Sequence, residues 1–393
     1  MRLAEENGKI LGLEHEAEVP RWHNGYQTTK NKTTKAIKKT KNTKIQWCHS
    51  TVNPIMGCDG CELWKPAAAI ATTMLATLLL LTKKSKGFIK PAVDRAVGDR
   101  DTSALYRDRE RVAVELAVGL SLTREQQKEM VDVVRQECKC YAGLLGTFRG
   151  GHKGYAEQFE RPAFFPGRMA KAARWNLPSE REMATKPWLE GCPRLIFVSD
   201  MGDALSKNVS FDYLLQEIIA NVSSDVGSRH FWLWLSKRPA QMAKFGDWLT
   251  KRGVAWPDNL MAMTTVTAQS KSSRVDELRK VPSRLKGLSL EPLFEPVDLD
   301  FEGIDWLICG GGSDVLAQPF HVEWALHLLD QCRAAGVAFF LKQLGKKPFY
   351  QNEPLELEHK HGGDWSEWRE AWQVREVPEA FRASTLCGSR RRV

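Results

Sequence analysis

The chain has 393 residues, of which 42% are apolar and 27% charged, with 14 Trp and 16 Phe. A large buried core is within reach, which excludes both a disulfide-stapled miniprotein and a disordered chain. Lys plus Arg exceed Asp plus Glu by 57 to 48, a formal charge of +9, which suits an anionic partner without demanding one. The nine cysteines are an odd number, and the first residues are too charged for a secretory signal. A cytoplasmic, reducing setting is therefore expected, in which clustered thiols serve metals or clusters rather than disulfides.

In chain order, residues 1–43 read as an extension without apolar periodicity. Residues 30–44, running from its end into the next segment, carry Lys30, Lys32, Lys35, Lys38, Lys39, Lys41 and Lys44 with no acid between, and weak, salt-sensitive nucleic-acid binding is expected of such a tract. Lys44–Trp47 reads as an opening strand. Residues 65–137 read as an inserted helical subdomain, projecting as a lid or arm. Its apolar run from Ala67 to Leu81 falls short of the about 20 residues that span a bilayer, so no membrane span is expected. Thr123 with Gln126 forms a capping-box start, and Met130, Val133 and Val134 share one face of the helix that follows.

From Arg194 onward, short β-rich runs alternate with helical stretches. Strands are expected at Leu195–Val198, Phe231–Leu235, Leu260–Val266, Gly287–Leu290, Trp306–Cys309 and Ala338–Leu341. Leu215, Ile218, Ile219 and Val222 mark the first intervening helix. With the opening strand this makes about seven, an α/β chain forming a complete or partial (β/α) barrel over 44–64 and 138–378, followed by a tail over 379–393 that ends in Arg390-Arg391-Arg392-Val393. Polar residues follow each strand: Ser199-Asp200, Ser236-Lys237-Arg238-Pro239, Thr267-Ala268-Gln269, Glu291-Pro292, Gly310-Gly311-Gly312-Ser313 and Lys342-Gln343. In a barrel these ends converge on one rim, where sites are built. Asp200, Lys237, Arg238, Glu291, Lys342 and Gln343 are thus candidate catalytic groups, and each also suits an ion pair that ties the rim together. Gly310, Gly311 and Ser313 form either an N–H cradle for an anion or a tight strand-to-helix turn.

The cysteine spacing carries more information. Cys58 and Cys61 make a Cys-x-x-Cys after the opening strand, and Cys138 and Cys140 a Cys-x-Cys before Tyr141. These four thiols would suit a structural zinc, or three of them an iron–sulfur cluster with one iron left open. Cys192, Cys309, Cys332 and Cys387 stand singly and read as unligated.

The runs Ile45-Gln46-Trp47 with Asn53-Pro54, Gly57-Cys58, Cys140-Tyr141-Ala142, Phe165-Pro166-Gly167-Arg168-Met169, Phe197-Val198-Ser199-Asp200-Met201, Lys237-Arg238-Pro239, Leu290-Glu291-Pro292, Ile304-Asp305-Trp306 and Phe339-Phe340-Leu341-Lys342-Gln343 resemble the bacteriophage three-cysteine-motif family, the phage gp thirty-seven/gp sixty-eight family. That family is similar to radical S-adenosylmethionine enzymes. The resemblance implies a [4Fe-4S] cluster held by Cys58, Cys61 and Cys140, with S-adenosylmethionine as second cofactor, Cys138 competing for the middle or last ligand position, and Cys48 a structural thiol. Asp200 and Glu291 would then meet ribose hydroxyls or a cationic cofactor group, and Lys237 and Arg238 a carboxylate or phosphate. The chain departs from the pattern in the insertion that splits the cysteine motif, in Gly312 where an acid is expected, and in Ala317-Gln318-Pro319 where the family has Ala-Arg-Pro.

Overall fold

The computed structural model describes residues 43–314 and 316–382; residues 1–42, with most of the basic tract, and Cys387 with the arginine tail lie outside the described residues. Seven strands form one open, curled, fully parallel sheet in sequential order: β1 Ser50–Val52, β2 Leu195–Val198, β3 Phe231–Ser236, β4 Leu260–Thr265, β5 Lys286–Leu290, β6 Trp306–Gly310 and β7 Ala338–Gln343. The chain is thus an α/β protein with a partial barrel.

The strands read as unbroken apolar runs because both faces are covered. Along β2, Leu195 and Phe197 enter the concave core while Ile196 and Val198 enter the core under the outer helices. Phe231 and Leu233 of β3 alternate with Trp232 and Trp234 in the same way, and Trp306 and Ile308 of β6 with Leu307 and Cys309. Phe381 plugs the concave side, its ring 4.4 Å from Phe231 and 5.3 Å from Trp306. The packed barrel therefore reaches into the stretch from 379 expected to be a tail.

The opening strand lies later than expected. Residues 44–47 turn because the buried Lys186 ammonium gathers the carbonyls of Thr43, Ile45 and Cys48 at 3.0, 2.6 and 2.5 Å, and such a cluster of acceptors around one cation excludes an extended ladder. Trp188 adds an indole N–H to the Gln46 carbonyl at 2.9 Å. Pairing begins only at Ser50, opposite Ile196.

After β2, helical segments Phe211–Leu214, a π turn over Leu215–Ile219 and Ala220–Ser223 follow one another. Leu214, Ile218, Ile219 and Val222 are buried, whereas Leu215 is only half-buried. The widened turn brings Glu217 inward to accept from the backbone N–H groups of Gly167 and Met169, both at 3.0 Å. π turns shift a side chain in this way.

Residues 65–137 hold five helices: α1 Ala67–Thr82, α2 Lys86–Val97, α3 Thr102–Arg107, α4 Arg109–Leu120 and α5 Arg124–Glu137. α1 buries Ile70, Met74 and Leu78 against α2 and α5, and Thr123 and Gln126 close the expected capping box on α5. On α5 the buried face is Met130, Val131 and Val134, with Val133 at its margin. No described helix is long and apolar enough to cross a membrane.

Candidate functional site

The loop after β1 brings two thiols to the carboxyl-end rim. Gly57 has φ +94° and passes so close to residue 159 that a Cβ would lie 2.6 Å from the Phe159 carbonyl oxygen. Only glycine fits there, and the approach lets the Cys58 N–H bond that same oxygen at 2.8 Å. Cys61 and Trp64 then exchange backbone hydrogen bonds at 3.1 and 3.0 Å, closing a tight turn.

The insertion leaves and returns at this turn. The N–H groups of Lys139 and Cys140 both donate to the Leu63 carbonyl, at 2.7 and 2.8 Å, and the Lys65 N–H reaches Glu137 at 3.3 Å. Trp64 bridges to both Cys61 and Cys138. The helix that follows, α6 Tyr141–Arg149, presses Gly143 onto the Trp64 ring. The insertion's helices thus separate Cys61 from Cys140 in sequence but not in space.

The four thiols divide. Cys138 is fully buried in the core of the insertion, and burial, then Glu160 and Glu137, push its thiol up to about 12. Cys58, Cys61 and Cys140 are half-buried. Burial, then Asp203, pushes Cys58 up to about 12. Cys61 is raised by burial, with Lys237 opposing and Cys140 adding to the rise. Burial alone would lower Lys237, but Cys61, Cys140, Glu62 and Asp203 together hold it above its ordinary value. Cys61, Cys140 and the Lys237 ammonium are therefore neighbours. No three His, Cys, Asp or Glu side chains among the described residues converge closely enough on one point to hold a single metal ion. A four-thiol zinc site would need Cys138, whose side chain belongs to the insertion's core. Cys58, Cys61 and Cys140 remain as three half-buried thiols from two segments.

The remaining rim residues form two further groups. Asp200 accepts from Asn53, and Tyr141 donates to the Asp200 carbonyl. Burial holds the Asp200 carboxyl above the usual carboxylate range. Although Tyr141 is 51% exposed as a residue, its hydroxyl end lies deep in the rim, where burial and then Asp200, Cys140 and Glu291 raise it well above its ordinary value. Opposite, Glu291 pairs with Lys342 and accepts from Gln343 at 3.2 Å. Gly311 is committed to packing: its N–H donates to the Gln343 carbonyl at 3.1 Å, and a Cβ there would lie 2.6 Å from the Leu344 carbonyl. The glycine run is thus occupied in bringing the chain after β7 close, with Ser313 just beyond it.

Several rim residues escaped the reading of the sequence. Asp203 accepts from Ser236 Oγ at 2.8 and 3.0 Å and from the Lys237 N–H at 3.2 Å, so it fixes the turn that aims Lys237. Arg238 bonds Asp59 and, at 2.9 Å, the Gly60 carbonyl. Arg274 clamps Glu62 with two 2.8 Å bonds. Ser199, just after β2 with φ +71°, has a buried hydroxyl with no hydrogen-bond partner among the described residues; such strain in a non-glycine residue is a mark of functional loops. The available signals were the position of Asp203 in the Asp200 loop and the Tyr141 adjacent to Cys140.

The architecture defines a class: a partial parallel barrel whose carboxyl-end rim combines three thiols, an ammonium and paired carboxylates. Residues 131–372 match the model of DUF5131, a family of proteins of unknown function, and the chain belongs to that family. The match starts beyond Cys58 and Cys61 and includes Cys138 and Cys140. No curated protein and no solved structure matches the chain.

Proposed function

We propose that this protein is an iron–sulfur enzyme of radical S-adenosylmethionine type, of the phage three-cysteine kind, with Cys58, Cys61 and Cys140 as cluster ligands. The observation that carries the reading is the stapling of Cys140 to the Cys61–Leu63 turn through the Leu63 carbonyl, which accepts two N–H groups at 2.7 and 2.8 Å. When bound, such a cluster with S-adenosylmethionine supplies one-electron chemistry that ends in hydrogen abstraction from a substrate. The chain supplies placement. The Lys237 ammonium opposes the rise that burial imposes on Cys61, and so favours the thiolate that ligation requires. Asp200, held by Asn53, and Glu291, held by Lys342 and Gln343, offer oriented acceptors for hydroxyl or ammonium groups. Tyr141, next to Cys140, donates its hydroxyl to the Asp200 carbonyl and so links the thiol segment to the Asp200 loop.

The test is metal content after anaerobic purification. Brown protein with iron and acid-labile sulfide is expected, lost in Cys58→Ala, Cys61→Ala and Cys140→Ala but kept in Cys48→Ala, Cys138→Ala and Cys387→Ala. Iron retained by Cys140→Ala and lost by Cys138→Ala would overturn the ligand assignment. Colourless protein with one equivalent of zinc, no iron, and zinc lost in the Cys58, Cys61, Cys138 and Cys140 variants would replace the enzyme with a zinc-stabilised protein that binds nucleic acid through its Lys30–Lys44 tract.

A further inference from the structure

We propose that a basic cavity beside the thiols is a phosphate-binding site, and that the substrate of this rim carries a phosphate group. This deepens the enzymatic reading above by naming a substrate class, although the binding itself requires no metal. The cavity, about 480 Å³, is lined by Lys207, Lys237, Arg238, Lys244 and Arg274, with Glu277 the one carboxylate among its lining residues. It lies between the loop at Leu205, the start of the helix Pro239–Thr250 and the start of the helix Ser273–Arg279.

The charges in its wall are unequally compensated. Arg238 is tied to Asp59 and Asp203, Arg274 to Glu62, and Glu277 to Lys280. Lys207, Lys237 and Lys244 form no ion pair within the described residues. Lys237 is the most telling of the three. It is half-buried where the other two are exposed, and it lines the cavity from the turn that Asp203 fixes by accepting its N–H at 3.2 Å. Lys207 and Lys244 are exposed and flank the mouth, and the helix beginning at Pro239 adds the positive end of its dipole. One carboxylate would satisfy one ammonium. Three lysines around a volume of this size suit a phosphate, with its greater charge and three acceptor oxygens. The cavity adjoins the thiol loop through Arg238, which lines it and bonds Asp59 and the Gly60 carbonyl, so a phosphate held there lies beside the segment that carries Cys58 and Cys61.

A mononucleotide and a polynucleotide backbone would both present this chemistry. Calorimetric titration of the full-length protein, prepared without iron, distinguishes them using AMP, adenosine and a short single-stranded RNA. AMP is expected to bind and adenosine to fail. The double variant Lys207→Gln/Lys244→Gln, whose two side chains make no hydrogen bond or ion pair in the fold, should weaken AMP binding at least tenfold while circular dichroism is unchanged. RNA binding that exceeds that of AMP and falls equally in the variant assigns the phosphate to a polynucleotide; RNA binding that ignores the variant reports the N-terminal lysine tract and leaves the mononucleotide as ligand. Equal affinity for AMP and adenosine, or AMP affinity unchanged in the double variant, would overturn the proposal. Because no cluster is present, these outcomes are independent of whether iron is ever loaded.

Discussion

Gly143→Ala tests the contact that holds Cys140 against Cys61. A Cβ at this position would lie 2.5, 2.6 and 2.9 Å from three ring carbons of Trp64, where carbon atoms prefer about 3.5–4.0 Å. A shift of about 1 Å is therefore forced on either the ring or α6. The ring is pinned: it is 1% exposed, donates its N–H to Glu160 at 2.6 Å and meets Phe159 edge-on at 5.5 Å. The displacement must fall on α6, which begins immediately after Cys140. Overpacking costs about 1–3 kcal/mol, and replacing a helical glycine returns up to about 1 kcal/mol. A net loss of about 1–2 kcal/mol is expected in urea unfolding followed by circular dichroism, together with weaker cross-linking of Cys61 to Cys140 by a short bifunctional thiol-alkylating reagent such as dibromobimane. Gly119→Ala on α4 is the control, since its Cβ would meet the Ala92 methyl at an ordinary 3.7 Å; it should be neutral or stabilising. If Gly143→Ala behaves as Gly119→Ala does, with cross-linking intact, the packing of α6 on Trp64 does not position Cys140.

Two further outcomes are expected. His49 accepts the Leu195 N–H on Nδ1 at 3.0 Å and keeps its buried Nε2 without a partner; burial, then Lys186 and Arg194, push it down from 6.5 to about 3. Between those values the unfolded chain binds a proton that the folded chain refuses, so stability present above pH 6.5 is lost as pH falls toward 3, by up to about 5 kcal/mol. His49→Gln should flatten the slope of unfolding free energy against pH in this window, and an unchanged slope would refute the assignment. Lys237→Met should slow alkylation of Cys61 by iodoacetamide at neutral pH and move its pH–rate profile upward, about tenfold in rate per unit; an unmoved profile would show that the ammonium does not face the thiol.

Six of the seven strands were legible because each is a compact β-rich run closed by polar residues, and Leu195–Val198 is bounded in the structure as the sequence predicts. Which face each residue takes was not legible, since strands covered on both sides show no alternation in polarity. The first strand was misplaced because its limit depends on Lys186, more than a hundred residues away, drawing the carbonyls of Thr43, Ile45 and Cys48 into a turn. The rim followed from the barrel topology alone, which is why Asp200, Lys237, Arg238, Glu291 and Lys342 were found. Asp203, Glu62 and Arg274 were not, as their importance lies in partners distant in sequence. Spacing also cannot separate Cys138 from Cys140: two residues apart at the end of α5, one turns into a helical core and the other out toward the rim.

The insertion is better understood as part of the wall of the site than as an appended arm or lid. Entropy does not oppose it, because the cost of closing a loop grows only logarithmically with its length. Its enthalpic connections are specific. The core that contains Ile70, Met74, Ile89, Leu116 and Met130 also contains Trp64, Cys138, Ala142, Phe159 and Met201, residues of the rim loops themselves. Thr102 bonds the Lys65 carbonyl at 2.9 Å, and Ser103 reaches, at 3.0 and 2.9 Å, the same Glu160 carboxylate that holds the Trp64 indole. α3 is thus hydrogen-bonded to the turn that positions Cys61, and α6 packs on its ring. A displacement of the helical subdomain is therefore felt at Trp64, and with it at the turn that holds Cys61 beside the start of α6.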